Sequence, residues 1–303
     1  MLNRRRFLSV SAVALAIGTT AAHADDWKSK YKELTFAVVP AENASGVSDR
    51  YAPFMEYLSQ QLGVPVKLRI ANDYAAVIEG QRAGNIQIAF YGPASYSTAY
   101  MTGVKTEPFV TTRNNDGTVG YYSVIYVKSD SPYKDIKDLK GKTIGFVDPN
   151  STSGYNAPRF YLHKAGIEAD SFFGKSIITG SHENGVIALD KGTIDSTADW
   201  WNSDTDSNLT RMVNKGMVKK DDFRVIFKSG LLAGSPYAYL SDLPADLKQA
   251  IVKAFVDAPT KDKAAFDRLS DGKDKEFVPV THKDYESTVE MIQFVNDMRK
   301  KHS

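Results

Sequence analysis

The strongest constraint on the fold is a strand–helix alternation that runs twice along the chain. An apolar strand-like stretch at 34–39 ends in Pro40. A helix-like stretch at 54–62 carries Met55, Leu58 and Leu62 on one face and stops at Gly63. Strand-like 66–70 and 86–91 alternate with helix-like 74–83 and 93–101. After the turn-rich Asn114-Asn115-Asp116-Gly117 and a strand-like 121–127, the alternation restarts. Strands are predicted at 143–147, 176–179 and 195–199, with helices at 155–165 and 184–191 between them. A helix between two strands returns the second strand parallel to the first. The pattern therefore predicts an α/β protein with two units in series, each a doubly wound, mainly parallel sheet. Beyond a strand at 224–228 and the run Ser235-Pro236-Tyr237-Ala238-Tyr239-Leu240, helices at 245–258 and 284–299 close the chain. The last places Tyr285, Val289, Ile292 and Val295 at core spacing.

Residues 1–24 read as an export signal: Arg4-Arg5-Arg6, an apolar stretch at 8–17, and the small-residue site Ala22-His23-Ala24. Arg4-Arg5-x-Phe7-Leu8 resembles a twin-arginine signal. The apolar stretch is too short for a membrane anchor. With no cysteine there is neither a disulfide nor a lipid-modified thiol. Removing 1–24 takes three arginines and no acid, so the formal charge of +2 becomes −1. That balance argues against a nucleic-acid or anionic-membrane surface. A periplasmic monomer is expected, without cofactor. No histidine has a second histidine or a cysteine two to four residues on, so no histidine-based metal site is expected either.

The run Asp148-Pro149-Asn150-Ser151-Thr152-Ser153-Gly154-Tyr155 follows strand 143–147 and precedes a helix. Three small hydroxyl side chains thus stand where free N–H groups and the positive end of a helix favour an anion. No Gly-Lys-[Ser/Thr] follows, so the run is not a nucleotide P-loop. It reads as a cradle for a small tetrahedral oxyanion, or as an ordinary helix cap, and the two uses share the same N–H groups. Tyr74 and Tyr121 are read equally as cleft or core aromatics. Trp200 and Trp201 are adjacent in a strand and cannot both face one way.

Taken together, Asn72-Asp73-Tyr74, Ile88-Ala89-Phe90-Tyr91-Gly92, Gly120-Tyr121-Tyr122-Ser123, Asp148 through Gly154, Gly180-Ser181-His182-Glu183-Asn184 and Leu243-Pro244 resemble the periplasmic phosphonate-binding proteins of ABC importers. The resemblance covers essentially the whole chain after residue 24. It implies a two-lobe type II periplasmic binding fold with the ligand in the cleft. One lobe would be 25–120 plus 235–303 and the other 121–234, with hinges near 117–122 and 229–235. It implies that Ser151, Thr152, Ser153, His182 and Tyr121 hold the phosphonate. Tyr74, Tyr91, Asp199, Trp200, Asn202 and Glu42 are the candidates for the cleft wall or the amine end. Where the family's pattern has two acids for the amine, this chain has Asn202 and Ser235. The implied partners are a small phosphonate, 2-aminoethylphosphonate first, and an inner-membrane permease.

Other readings remain in competition. Methylphosphonate, phosphite and phosphate need the same cradle and a smaller cleft. An exported phosphoester hydrolase would use Ser151, Thr152 or Ser153 with His182, but no nucleophile elbow of the Gly-x-Ser-x-Gly type is present. A periplasmic sensor subunit would share the ligand site of an importer.

Overall fold

The computed structural model describes residues 27–302; the expected export segment 1–24 lies outside them. Strands β1 (Leu34–Val38), β2 (Val66–Ile70), β3 (Ile88–Phe90) and β4 (Thr106–Asn114) belong to a first six-stranded sheet. The second sheet takes β5 (Tyr122–Lys128), β6 (Thr143–Phe146), β7 (Lys175–Ile178), β8 (Ser196–Ser203), β9 (Asp206–Ser207) and β10 (Phe223–Lys228). The chain then returns to the first sheet with β11 (Tyr237–Leu240) and β12 (Asp274–Pro279). The strand orders are β12-β4-β11-β3-β1-β2 and β10-β5-β8-β6-β7, with β9 paired to β8.

Burial follows position in the sheet. β1 is buried along most of its length, with Leu34 and Phe36 fully so, because helices cover both faces of a central parallel strand. β2, at the edge, exposes Lys67 and Arg69. Two cores flank the first sheet: one is built from Phe36, Phe54, Leu58 and Phe255, the other from Ala37, Val77, Ile86 and Tyr285. The second sheet is covered likewise, by clusters around Ile144 and Phe146 and around Val186 and Met212.

Each sheet is mixed, less parallel than the alternation alone implies. β1 runs parallel to β2 and β3, and β6 parallel to β7 and β8. β11 inserts antiparallel between β3 and β4, β12 adds antiparallel to β4, and β5 is antiparallel to β8 and β10. The antiparallel half exists because the chain leaves the first sheet and later comes back. The sequence pattern did not mark β4, β12 or the helix Lys263–Ser270. β12 is a polar strand with only Phe277 buried, so it carries little apolar signal.

The two crossing segments pair with each other. Tyr121 N–H donates to Leu232 O at 3.2 Å, and Leu232 N–H to Tyr121 O at 2.8 Å. Gly120, just before this bridge, has φ 136°, and a Cβ there would stand 2.3 Å from the Leu232 carbonyl oxygen. Only glycine fits that approach. The final helix, Glu286–His302, adds a further tie: Val295 sits in the second sheet's core, while Tyr285 just ahead of it packs in the first.

Gly120→Ala is therefore expected to destabilise the protein by about 2–4 kcal/mol, since backbone must move and the φ is disfavoured. Gly103→Ala, at φ 79° with open space around the new Cβ, should lose only about 1 kcal/mol. Urea titrations of both variants measure the difference; equal, small losses would show that the crossing segments tolerate a side chain.

Candidate ligand-binding site

A cavity of about 170 Å³ lies between the two sheets. It opens where several parallel strands end: Val39 and Ala41 follow β1, Gly92 follows β3, Ser151–Ser153 follow β6 and His182 follows β7. Ligand clefts of open α/β sheets sit at such carboxyl ends.

One end of the cavity is a cluster of hydroxyl and N–H donors. The strand β6 runs into a short π-helical turn, Thr152–Asn156, that continues as the α-helix Ala157–Lys164. Ser151 caps it, its Oγ accepting from Gly154 N–H at 3.1 Å. Accepting that N–H leaves the Ser151 proton to donate to the neighbouring Tyr74 oxygen or to a ligand. Thr152 Oγ1 accepts from Ala94 N–H at 2.8 Å, reaching the first sheet's side of the cleft. Gly154 is pinned, because a Cβ there would meet Val147 and the Ser151 hydroxyl below 3 Å. The Tyr74 hydroxyl lies against Ser151, and the Tyr121 hydroxyl against Thr152, Ser153 and Ser235. Burial raises both phenols above their ordinary value, so both remain proton donors.

His182 opens the helix His182–Asp190, capped by Ser181. Its N–H donates to Ala41 O at 3.1 Å across the cleft. Its ring is 4% exposed and lines the cavity. Nδ1 lies 2.7 Å from Asp199 Oδ1, in ion-pair contact but off the direction of a hydrogen bond. Nε2 is the nitrogen left for a ligand. The hydroxyl turn, His182 and the two tyrosines can together surround a tetrahedral anion.

The other end is charged with both signs. Asp206 enters from the second sheet and accepts from Asn202 Nδ2 at 2.6 Å. Asp274 enters from the first sheet, opposite. Burial, then the charge of Asp206, pushes the Asp274 carboxyl up to about 6 against the pull of Arg211. Asn202 Oδ1 is buried with no donor. Arg211 lies 4.8 Å from the Trp200 ring centre, and its Nε is buried with no acceptor. Trp200 lines the cavity, whereas Trp201 faces away against Tyr122 and under Lys228.

Three of the expected residues stand elsewhere. Tyr91 is fully buried in the core, its hydroxyl donating to Gln81 Oε1 at 3.1 Å; strand alternation turns its neighbour Phe90 to the cleft instead. Asp199 is also fully buried, behind His182, and accepts from Trp200 N–H at 2.7 Å and Asn208 Nδ2 at 2.9 Å. Its oxygens are taken, so it positions the histidine and does not face an amine. Glu42 is occupied by cations: Arg50 Nε donates to it at 2.8 Å and Lys215 Nζ at 2.8 Å. Burial alone would raise its carboxyl, but Arg50, Arg211 and Lys215 outweigh that and hold it down at about 2. Sequence reasoning missed Arg50, Asp206, Arg211 and Asp274. They come from three separate segments, Asp206 and Arg211 sharing one, with no shared local pattern, and the one signal was that an acid-poor amine end needs carboxylates from somewhere else. Ser151, Thr152, Ser153, His182, Tyr121, Tyr74, Trp200 and Asn202 all line the cavity. Among the described residues no cluster of acids and histidines could hold a metal, and no helix is long and apolar enough to cross a membrane.

The chain matches the family described as "ABC transporter, phosphonate, periplasmic substrate-binding protein" over residues 36–285. It is 33% identical over 270 residues to the phosphate-import protein PhnD of Mycolicibacterium smegmatis, covering 84% of this chain and 83% of that one. It is 30% identical over 266 residues to the phosphonates-binding periplasmic protein of Escherichia coli, covering 86% of this chain and 75% of the relative. The crystal structure of a binding protein component of an ABC phosphonate transporter from Pseudomonas aeruginosa superposes with a TM-score of 0.78 at 25% identity, covering 89% of each chain. The two sheets with a cleft between them are the type II periplasmic binding fold. The chain belongs to the family of periplasmic phosphonate-binding proteins of ABC transporters.

Proposed function

We propose that the protein captures a phosphonate with an aminated tail, 2-aminoethylphosphonate being the simplest, and presents it to an inner-membrane ABC permease. The observation that carries this reading is the buried, donorless Asn202 Oδ1 beside Asp206 and opposite Asp274. A buried acceptor without a donor is costly. An ammonium supplies the missing donors and neutralises the two carboxylates. The head would sit on Ser151, Thr152, Ser153, His182 and Tyr121, with Tyr74 behind Ser151 and Trp200 beside the tail. Charge-assisted hydrogen bonds in a cleft closed to water would supply the affinity.

Binding here is proposed to be non-catalytic. A His182–Asp199 pair has the look of a base with its orienter. The Ser151 and Thr152 hydroxyl oxygens, however, already accept backbone N–H groups, from Gly154 and Ala94, which ties up an oxygen lone pair on each and leaves their protons to donate to a bound anion. Contacts across the cleft support a closed, hinged pair of lobes, 25–120 plus 235–303 and 121–234. Lys215 bridges Glu42 and Glu183 at 2.8 Å each, and Glu183 accepts from Asn43 N–H at 2.8 Å. The name of the mycobacterial relative favours a second reading, a receptor for inorganic phosphate. Phosphate needs no acidic far end, and calorimetric titration of ligand-stripped protein with phosphate, methylphosphonate and 2-aminoethylphosphonate separates the two.

His182→Ala should weaken every phosphonate by about tenfold to a hundredfold, the worth of one charged hydrogen bond. Asp199→Asn should weaken all of them in parallel, since it acts through His182. Selective loss of the aminated ligand alone would return Asp199 to the amine site.

Asp274→Asn should weaken 2-aminoethylphosphonate far more than methylphosphonate, read by the same titration. It should also stabilise the empty protein. The Asp274 carboxyl titrates near 6 in the folded protein against an ordinary 3.8. Between those values the folded state holds a proton that the unfolded chain has released, so stability falls as pH rises through the window. Without that carboxyl, denaturant stability above about pH 6 should rise by about 1–3 kcal/mol. A destabilised variant would mean that Asp274 is structural.

A further inference from the structure

The amine end holds a cation as well as acids. Arg211 projects from the helix Asn208–Asn214 into the cavity, with its guanidinium 4.8 Å from the Trp200 ring centre. The carboxylates near it do not satisfy it. Nη1 is 4.0 Å from Glu42 Oε1, beyond hydrogen-bond reach, and Glu42 is already held by Arg50 and Lys215. Nε is 3.7 Å from Asp271 Oδ2, a half-exposed carboxylate, and remains buried with no acceptor. Arg50, by contrast, is filled by Glu42 and the Leu269 carbonyl. A tail with an ammonium alone would meet Asn202 Oδ1, Asp206 and Asp274 but would leave Arg211 unsatisfied, one cation beside another. The orphan donor and the orphan acceptor, Arg211 Nε and Asn202 Oδ1, line the same cavity.

We propose that the tail bound here is that of an α-amino acid: a phosphonate whose chain ends in an ammonium and a carboxylate on one carbon. The ammonium sits on Asn202 Oδ1, Asp206 and Asp274. The carboxylate sits on the Arg211 guanidinium, whose planar fork suits it. This rests on the aminated-phosphonate reading above and adds the second charge. A zwitterionic tail matches the mixed signs of the chamber. An alkyl tail leaves both orphans unpaired, and a simple amine leaves one.

The test is calorimetric titration of ligand-stripped protein with 2-amino-3-phosphonopropionate, 2-aminoethylphosphonate, 3-phosphonopropionate and ethylphosphonate. The amino acid should bind at least about tenfold more tightly than either tail that lacks one charged group. Arg211→Gln should narrow its advantage over 2-aminoethylphosphonate to about threefold or less, and Arg211→Lys should restore part of it. The wild-type ranking needs no variant to fold. Equal or tighter binding of 2-aminoethylphosphonate overturns the carboxylate site and leaves the aminated receptor standing. Tightest binding of ethylphosphonate overturns both.

Discussion

An anion leaves water only where donors are already fixed to receive it, and this cleft fixes them by ending its strands there. The chain turns after β6 into the hydroxyl run Ser151–Ser153 and after β7 into His182. The helices that follow bring unpaired N–H groups and a positive dipole end to the same place. The alternating fold is what makes these junctions converge. The cores lie behind the sheets, and among the antiparallel additions β12 brings Asp274 to the far end of the cleft. Together they hold the two junctions and the facing strand ends of the first sheet at a fixed separation.

The lobes meet through polar contacts that share residues with the site. Thr152 accepts a backbone N–H from Ala94, and His182 donates one to Ala41. Both therefore line the cavity and clasp the lobes at once. Beyond them Glu42 gathers Arg50 from its own side and Lys215 from the other. Breaking such a buried, hydrogen-bonded carboxylate from one partner is costly, while the pair as a whole adds modest net stability. That combination suits a hinge, because it gives the closed form a defined geometry without locking it.

The head of the site was legible in the sequence and the tail was not. Ser151, Thr152, Ser153 and His182 stand at strand-to-helix junctions, where local pattern predicts both the turn and its free N–H groups. From the residues alone Tyr74 and Tyr121 read equally as cleft or core aromatics, and the family resemblance brings them, with His182, to the site. Glu42 and Asp199 were misplaced for one reason: a loop or strand carboxylate does not announce whether its partner is a ligand, an arginine or a histidine. Tyr91 was lost to the phase of a three-residue strand, where one step swaps cleft for core. Arg50, Asp206, Arg211 and Asp274 meet only after two sheets have formed and β12 has joined the first. β12 itself carries one buried apolar residue, too little periodicity to be seen.

Ligand choice in this cleft turns on its polarity: anionic head on the hydroxyl turn, charged tail at the far end. A crystal structure of the protein grown with 2-aminoethylphosphonate tests it most directly. Phosphonate oxygens are expected within hydrogen-bond distance of the Ser151, Thr152 and Ser153 turn and of His182 Nε2, with the amine on Asn202 Oδ1 and Asp206. Phosphorus at the Arg211 end, with the amine against the hydroxyl turn, would contradict it.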